Sequence, residues 1–185
     1  MTNLVAELNA KPSKKRALIS SLVLSALSAG LVGFGASVAA AAQEQETESD
    51  PFAFEHESCT GAPFQIKVIV TKVKSGEGQI VVDLYKNDPE TFLKQAGQIV
   101  QTTFPALKDE TYFCIHAPEA DVYAVAVFHD KNSNMILDKG NLGIPVEKWG
   151  VSLDTKKRFK APPIEKTLFE LDESGKNLTI KLRRR

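Results

Sequence analysis

The chain is sparing with the residues that carry redox and catalytic chemistry: its 185 residues include two cysteines, one tryptophan, two methionines and three histidines. Cys59 and Cys114 are far apart and form no C-x-x-C pair, which argues against a catalytic disulfide. Net charge is absent as well, with 23 basic and 23 acidic residues, so composition implies neither nucleic acid nor an anionic membrane as partner. The serine in Gly150-Val151-Ser152 lacks the second glycine of a nucleophile elbow. No tandem repeat is visible, and the apolar spacing of the exported part is that of strands rather than of helices.

What is present begins with a targeting segment. Lys11, Lys14, Lys15 and Arg16 precede an apolar run from Ala17 to Ala42 that ends in small residues before Gln43, the pattern of a secretory signal peptide over residues 1–42. The run is also long enough to span a bilayer, so an uncleaved anchor is the competing reading and would be the chain's one membrane attachment. Residues 1–42 hold four basic residues and one acid, so their removal leaves 19 basic and 22 acidic residues and a net charge of −3. Residues 43–51, QEQETESDP, contain no apolar side chain and read as a disordered acidic linker. Residues 52–185 then form one domain, long enough to bury a core. In a periplasmic or secreted protein two cysteines are most simply a Cys59–Cys114 disulfide, with two buried thiols as the alternative.

Alternating apolar and polar residues recur in short runs, at Ile66–Thr71, Ile80–Leu84, Gln98–Phe104, Thr111–His116, Tyr123–His129, Thr167–Leu171 and Asn177–Leu182. Seven short strands predict a mainly β domain, a single antiparallel β-sandwich of transthyretin or immunoglobulin type. Ser75-Gly76-Glu77-Gly78 predicts a hairpin turn. Asp88 and Pro89 read as an N-cap and first helical position, with Gly97 as the stop, which predicts one short helix. Tyr123–Phe128 is apolar on both faces and should be a central strand. Residues Leu142–Pro163 are rich in glycine and proline and predict a long surface loop.

The stretch HDKNSNMILDKGNLGIP places Asp130, Asn132, Asn134 and Asp138 at positions 1, 3, 5 and 9 of a loop, with the Ile136 carbonyl at position 7 and Asn141 at position 12. That is the oxygen-donor spacing of a calcium loop. An EF-hand has Gly at position 6 and a bidentate Glu at position 12, where this chain has Met135 and Asn141, so a calcium cofactor would bind weakly, in the range of about 10⁻⁴–10⁻³ M. The plainer reading is an Asx-rich turn whose side chains cap their own backbone.

The residues YAVAVFHDKNSNMILDKGNLGIPVEKWGVS, followed by APP and LFEL, resemble the domain of unknown function 2141, a family of small exported bacterial proteins, over roughly Phe64 to Leu182. Asp130, Asn132, Asn134, Asp138, Gly143, Pro145, Glu147, Gly150 and Ser152 fit its pattern, whereas Met135, Val151, Leu153 and Asp154 depart from it. The resemblance implies an extracytoplasmic β-sandwich and no activity. The loop is also similar to those of calcium-bearing, transthyretin-like repeat domains of surface adhesins.

Two functional expectations follow. One is a non-enzymatic envelope module that contacts an unknown protein or polysaccharide through Ile144, Trp149 and Phe159, the aromatics lying beside the basic run Lys156 to Lys160. Against it stands the reading of Trp149 as a lid folded onto the sandwich. The other is a small metal-dependent enzyme or zinc-binding protein using His56, His116 and His129. It requires His116, His129 and Ser152 to converge in one cleft.

Overall fold

A computed structural model describes residues 50–153 and 161–184. The expected signal peptide and most of the expected acidic linker lie outside these residues. Eight strands follow in order: β1 (Gln65–Val73), β2 (Gln79–Lys86), β3 (Gln98–Pro105), β4 (Asp109–His116), β5 (Asp121–Asp130), β6 (Trp149–Val151), β7 (Phe169–Leu171) and β8 (Lys176–Lys181). They form two sheets, one ordered β4-β1-β8 and the other β3-β2-β5-β6 with β7 also paired to β5. The expected sandwich is therefore present, with one departure from an all-antiparallel design: β8 runs parallel to β1.

The period of two decides the layers. Ile66, Val68 and Val70 of β1, Ile80, Val82 and Leu84 of β2, Phe113 and Ile115 of β4, Tyr123, Val125 and Val127 of β5, and Leu178 and Ile180 of β8 point into the space between the sheets and form the main core. The opposite face of β5, Ala124, Ala126 and Phe128, packs with Val81, Tyr85, Trp149, Val151 and Ile164 in a second apolar layer. This explains why β5 is apolar on both faces. A third, small cluster lies on the outside of the three-stranded sheet, where Phe54 covers Ile69, Tyr112 and Cys114. The Cys59–Cys114 disulfide pins that amino-terminal segment in place. Lys67 reinforces it from the sheet, donating to the Phe52 carbonyl at 3.2 Å and lying 5.5 Å from the centre of the Phe54 ring.

Three sequence expectations are corrected. Ser75–Gly78 closes no hairpin, because β1 and β2 lie in different sheets and the turn crosses from one layer to the other. The helix predicted after Asp88 amounts to one turn. Asp88 does cap it, accepting from the Glu90 N–H at 2.9 Å, and the Phe92 N–H reaches the Asp88 carbonyl at 3.0 Å. Leu93 then enters the left-handed region at φ 60°, which breaks the helix before a 3₁₀ turn at Gln95–Gly97. The long loop predicted over Leu142–Pro163 contains strand β6, which pairs with Ala126–Phe128 and is buried at all three positions. Gly150 permits this, because a Cβ there would lie 2.8 Å from the Lys181 carbonyl oxygen.

Candidate functional site

The Asp130 loop leaves the end of β5 and returns at β6, so both its ends are fixed by the five-stranded sheet. Asp130 is fully buried. Its Oδ1 accepts the Asn134 N–H at 3.2 Å, and its Oδ2 accepts the Met135 N–H at 2.7 Å and the Gln79 side-chain amide at 2.9 Å. Burial pushes this carboxyl upward, but the hydrogen bonds from Gln79, Met135 and Asn134 outweigh it and hold the group below the usual aspartate value. Wrapping the backbone round Asp130 puts Ser133 and Met135 in the left-handed region, at φ 59° and 62°. Met135 thus occupies the position where calcium loops place glycine, in a glycine-like conformation.

Asp138 closes the middle of the loop by accepting the side-chain amides of Asn132 at 2.8 Å and Asn134 at 3.2 Å. The residue that ties the loop's two halves is Glu147. It is 8 % exposed, and its two oxygens accept the Lys131 N–H at 2.9 Å and the Asp138 N–H at 3.1 Å. Asn141, read from sequence as the twelfth position, instead sits exposed in the turn closed by the Gly143 N–H to Gly140 carbonyl bond. Glu147 was visible only as a match to the family pattern. It lies 17 residues after Asp130, outside the reach of a twelve-residue template.

The donors that the loop gathers are all hard oxygens, as a calcium ion requires, but both Glu147 oxygens already accept backbone N–H groups. The carboxylates do not close on one point: among the described residues no three His, Cys, Asp or Glu side chains are grouped to hold a metal. A cation would therefore need Asn132 and Asn134 to turn their amide oxygens inward, and the Ile136 carbonyl to join them.

Of the expected contact residues, Ile144 is exposed and Phe159 lies outside the described residues. Trp149 is not an exposed contact residue and reaches only the floor of the groove over the five-stranded sheet. It is 7 % exposed, packed in the second apolar layer beside Phe128, its cross-strand partner. The exposed apolar groups lie elsewhere on the loop. Seven large hydrophobic side chains are exposed among the described residues, and five of them, Met135, Ile136, Leu142, Ile144 and Val146, fall within twelve consecutive positions. Met135, Ile136 and Ile144 form one wall of a groove of about 730 Å³ over the outer face of the five-stranded sheet, and Asp83, Gln98 and Gln101 line its polar part.

The residues of the enzyme reading do not converge. His116 pairs with Gln65 at the start of β1, whereas His129 pairs with Ile80 beyond the β1–β2 turn, at the other end of that strand. The His129 ring donates to the Glu77 carbonyl at 2.8 Å. His116 is hydrogen-bonded to Thr60 and His56 to Ser58, and both cysteines are in the disulfide. Ser152 is fully buried, accepting the Val125 N–H at 3.0 Å and donating to the Thr167 carbonyl, which joins β5 to the segment before β7.

No curated protein matches the chain. Among solved structures it is similar to a fimbrial assembly protein from Parabacteroides distasonis ATCC 8503, with 10 % identity and a TM-score of 0.37, over 66 % of this chain and 53 % of that one. The chain thus spans about half the length of that protein. A family model described as "Uncharacterized protein conserved in bacteria" matches residues 68–180, from the middle of β1 to the end of β8 and including the whole Asp130 loop, and the chain belongs to that family, DUF2141.

Proposed function

We propose that this protein is an exported accessory module of the bacterial envelope that works by contact, with a weak calcium site in the Asp130–Glu147 loop fixing the contact surface. The observation that carries this reading is the crowding of five exposed apolar side chains onto the one loop built from Asp130, Asn132, Asn134, Asp138 and Glu147. Exposed apolar groups that cluster mark contact sites more often than scattered ones do. The targeting segment and the disulfide support a location outside the cytoplasm. The aliphatic side chains that the loop itself exposes suit a protein partner, while the groove behind them also carries Tyr85, Phe128, Trp149 and the amides of Gln98 and Gln101.

The test is a calcium titration of the signal-free chain followed by backbone amide NMR. Signals of residues 130–147 should move and saturate in the range of about 10⁻⁴–10⁻³ M, and calcium at about ten times its Kd should add roughly 1.4 kcal/mol of stability. Asp138→Asn should abolish both effects. A photo-reactive side chain at Leu142 should then cross-link an envelope protein in calcium and not in chelator, whereas one at Ile99 should not. Unmoved loop signals refute the calcium site, and equal cross-linking from the two positions refutes the contact surface.

A further inference from the structure

A second concavity, of about 370 Å³, borders the loop; most of the residues round it are charged, although much of the surface they present is their apolar stems. Lys74, Lys148 and Arg184 line it together with Lys131 and His129. The fold brings them there from three distant parts of the sequence. Lys74 follows the end of β1, just past a bulge at Lys72, whose backbone is left-handed at φ 67°. Lys148 precedes β6 and donates from Nζ to the Lys72 carbonyl. Arg184 is carried in by the carboxy terminus, because Arg183 and Trp149 exchange two backbone hydrogen bonds, at 3.1 and 3.0 Å, that lay the arginine tail along β6.

Among the described residues the ion pairs are Lys86 with Glu119 and Asp121, and Lys131 with Glu77, so no carboxylate pairs with Lys74, Lys148 or Arg184. Two acids do line the concavity, but the Glu147 oxygens are taken by the N–H groups of Lys131 and Asp138, and the Asp138 oxygens by two asparagine amides. Burial, with Lys74 and Lys72 close by, lowers the proton affinity of the Lys148 amine. Gathering like charges round a partly enclosed space works against folding and concentrates anions. The chain's overall balance of charge hides this local excess.

We propose that this concavity is a phosphoryl-binding site in which Lys74, Lys148 and Arg184 hold the phosphate oxygens of a small ester or a lipid headgroup. Lys74, Lys148 and Arg184 outnumber the two carboxylates on the lining, Asp138 and Glu147, whose oxygens already accept N–H groups, and the arginine fork and lysine point charges both suit a tetrahedral oxyanion. The volume falls in the lower part of the range for small-ligand sites, so there is room for a group attached to the phosphate.

Thermal unfolding of the signal-free chain in chelator, with inorganic phosphate compared against chloride at equal ionic strength, tests the site independently of calcium. Phosphate should raise the melting temperature of the wild type. Lys74→Gln/Arg184→Gln removes two exposed cations, should fold normally, and should shift the phosphate midpoint by about twenty-five-fold, at about fivefold per cation. Lys148→Gln should melt at or above the wild-type temperature without phosphate and lose most of the phosphate response, an outcome that a purely structural lysine would not give. Sedimentation with phosphatidylcholine vesicles, with and without phosphatidylglycerol, distinguishes the sources. Binding to anionic vesicles that phosphate competes away identifies a lipid headgroup, and a phosphate response without vesicle binding identifies a soluble ester. The same response to phosphate and chloride, or an unchanged phosphate midpoint in the double variant, overturns the proposal.

Discussion

Replacing Trp149 with alanine separates a buried tryptophan from a recognition tryptophan by magnitude. The side chain is 7 % exposed and packs with Phe128, Tyr85, Val81 and Ile164 outside the five-stranded sheet. Removing a buried aromatic of this size costs about 3–5 kcal/mol, since the transfer free energy of the ring is lost and the cavity left behind relaxes only in part. The upper part of that range fits this site, because Gly150 and the close approach of Lys181 leave the β6 backbone little freedom to collapse inward. For a domain of this length each kcal/mol corresponds to about 4 °C, so Trp149→Ala should melt roughly 12–20 °C below wild type. Differential scanning calorimetry of the signal-free chain, with Leu142→Ser as an exposed control expected to change stability by no more than about 0.5 kcal/mol, measures both. A drop of less than about 4 °C for Trp149→Ala would refute the assignment of this residue to the core.

Reducing the Cys59–Cys114 disulfide should cost about 4 kcal/mol, the chain-entropy value for a separation of 55 residues, and denaturant titration with and without dithiothreitol should show it as a shifted midpoint. Asp130 and Asp83 should pull the pH dependence of stability in opposite directions. Asp130 has its proton affinity lowered in the fold, so its contribution is complete above the ordinary carboxylate value and is lost as pH falls below about 4; Asp130→Asn should lessen that acid-side loss in urea titrations. Burial raises the proton affinity of Asp83, which still accepts from the Gln101 amide, so ionising it costs stability as pH rises; Asp83→Asn should be the more stable protein at pH 7, and a less stable one would show that the charge itself is needed.

What the sequence could reveal depended on how local each cause was. The alternation of Ile80, Val82 and Leu84, and the doubly apolar run from Tyr123 to Phe128, are properties of single segments, so the strands and the central place of β5 were readable. Asp88 signalled a helix start, but it caps only a single turn, because the backbone becomes left-handed at Leu93, which no residue preference announces. Strand β6 has three residues and exists because β5 offers an edge, so Trp149 looked like a loop residue until that partner was in place. The Asp130 spacing was legible for the same reason that the strands were. The strap that Glu147 forms, and the meeting of Lys74, Lys148 and Arg184, were not, since each joins residues distant in sequence through the sheets between them.

The parallel pairing of β8 with β1 governs the order of assembly. Ile66 lies opposite Lys176, a separation of 110 residues, and the Leu182 N–H reaches the Thr71 carbonyl. A chain that emerges amino terminus first, from a ribosome or through an export channel, must hold β1 with one flank open until β8 is released. Closing so long a segment is entropically slow, so completion of the three-stranded sheet should set the folding time. Deleting residues 176–185 would then remove β8, leave β1 permanently as an edge and make the domain a template for aggregation.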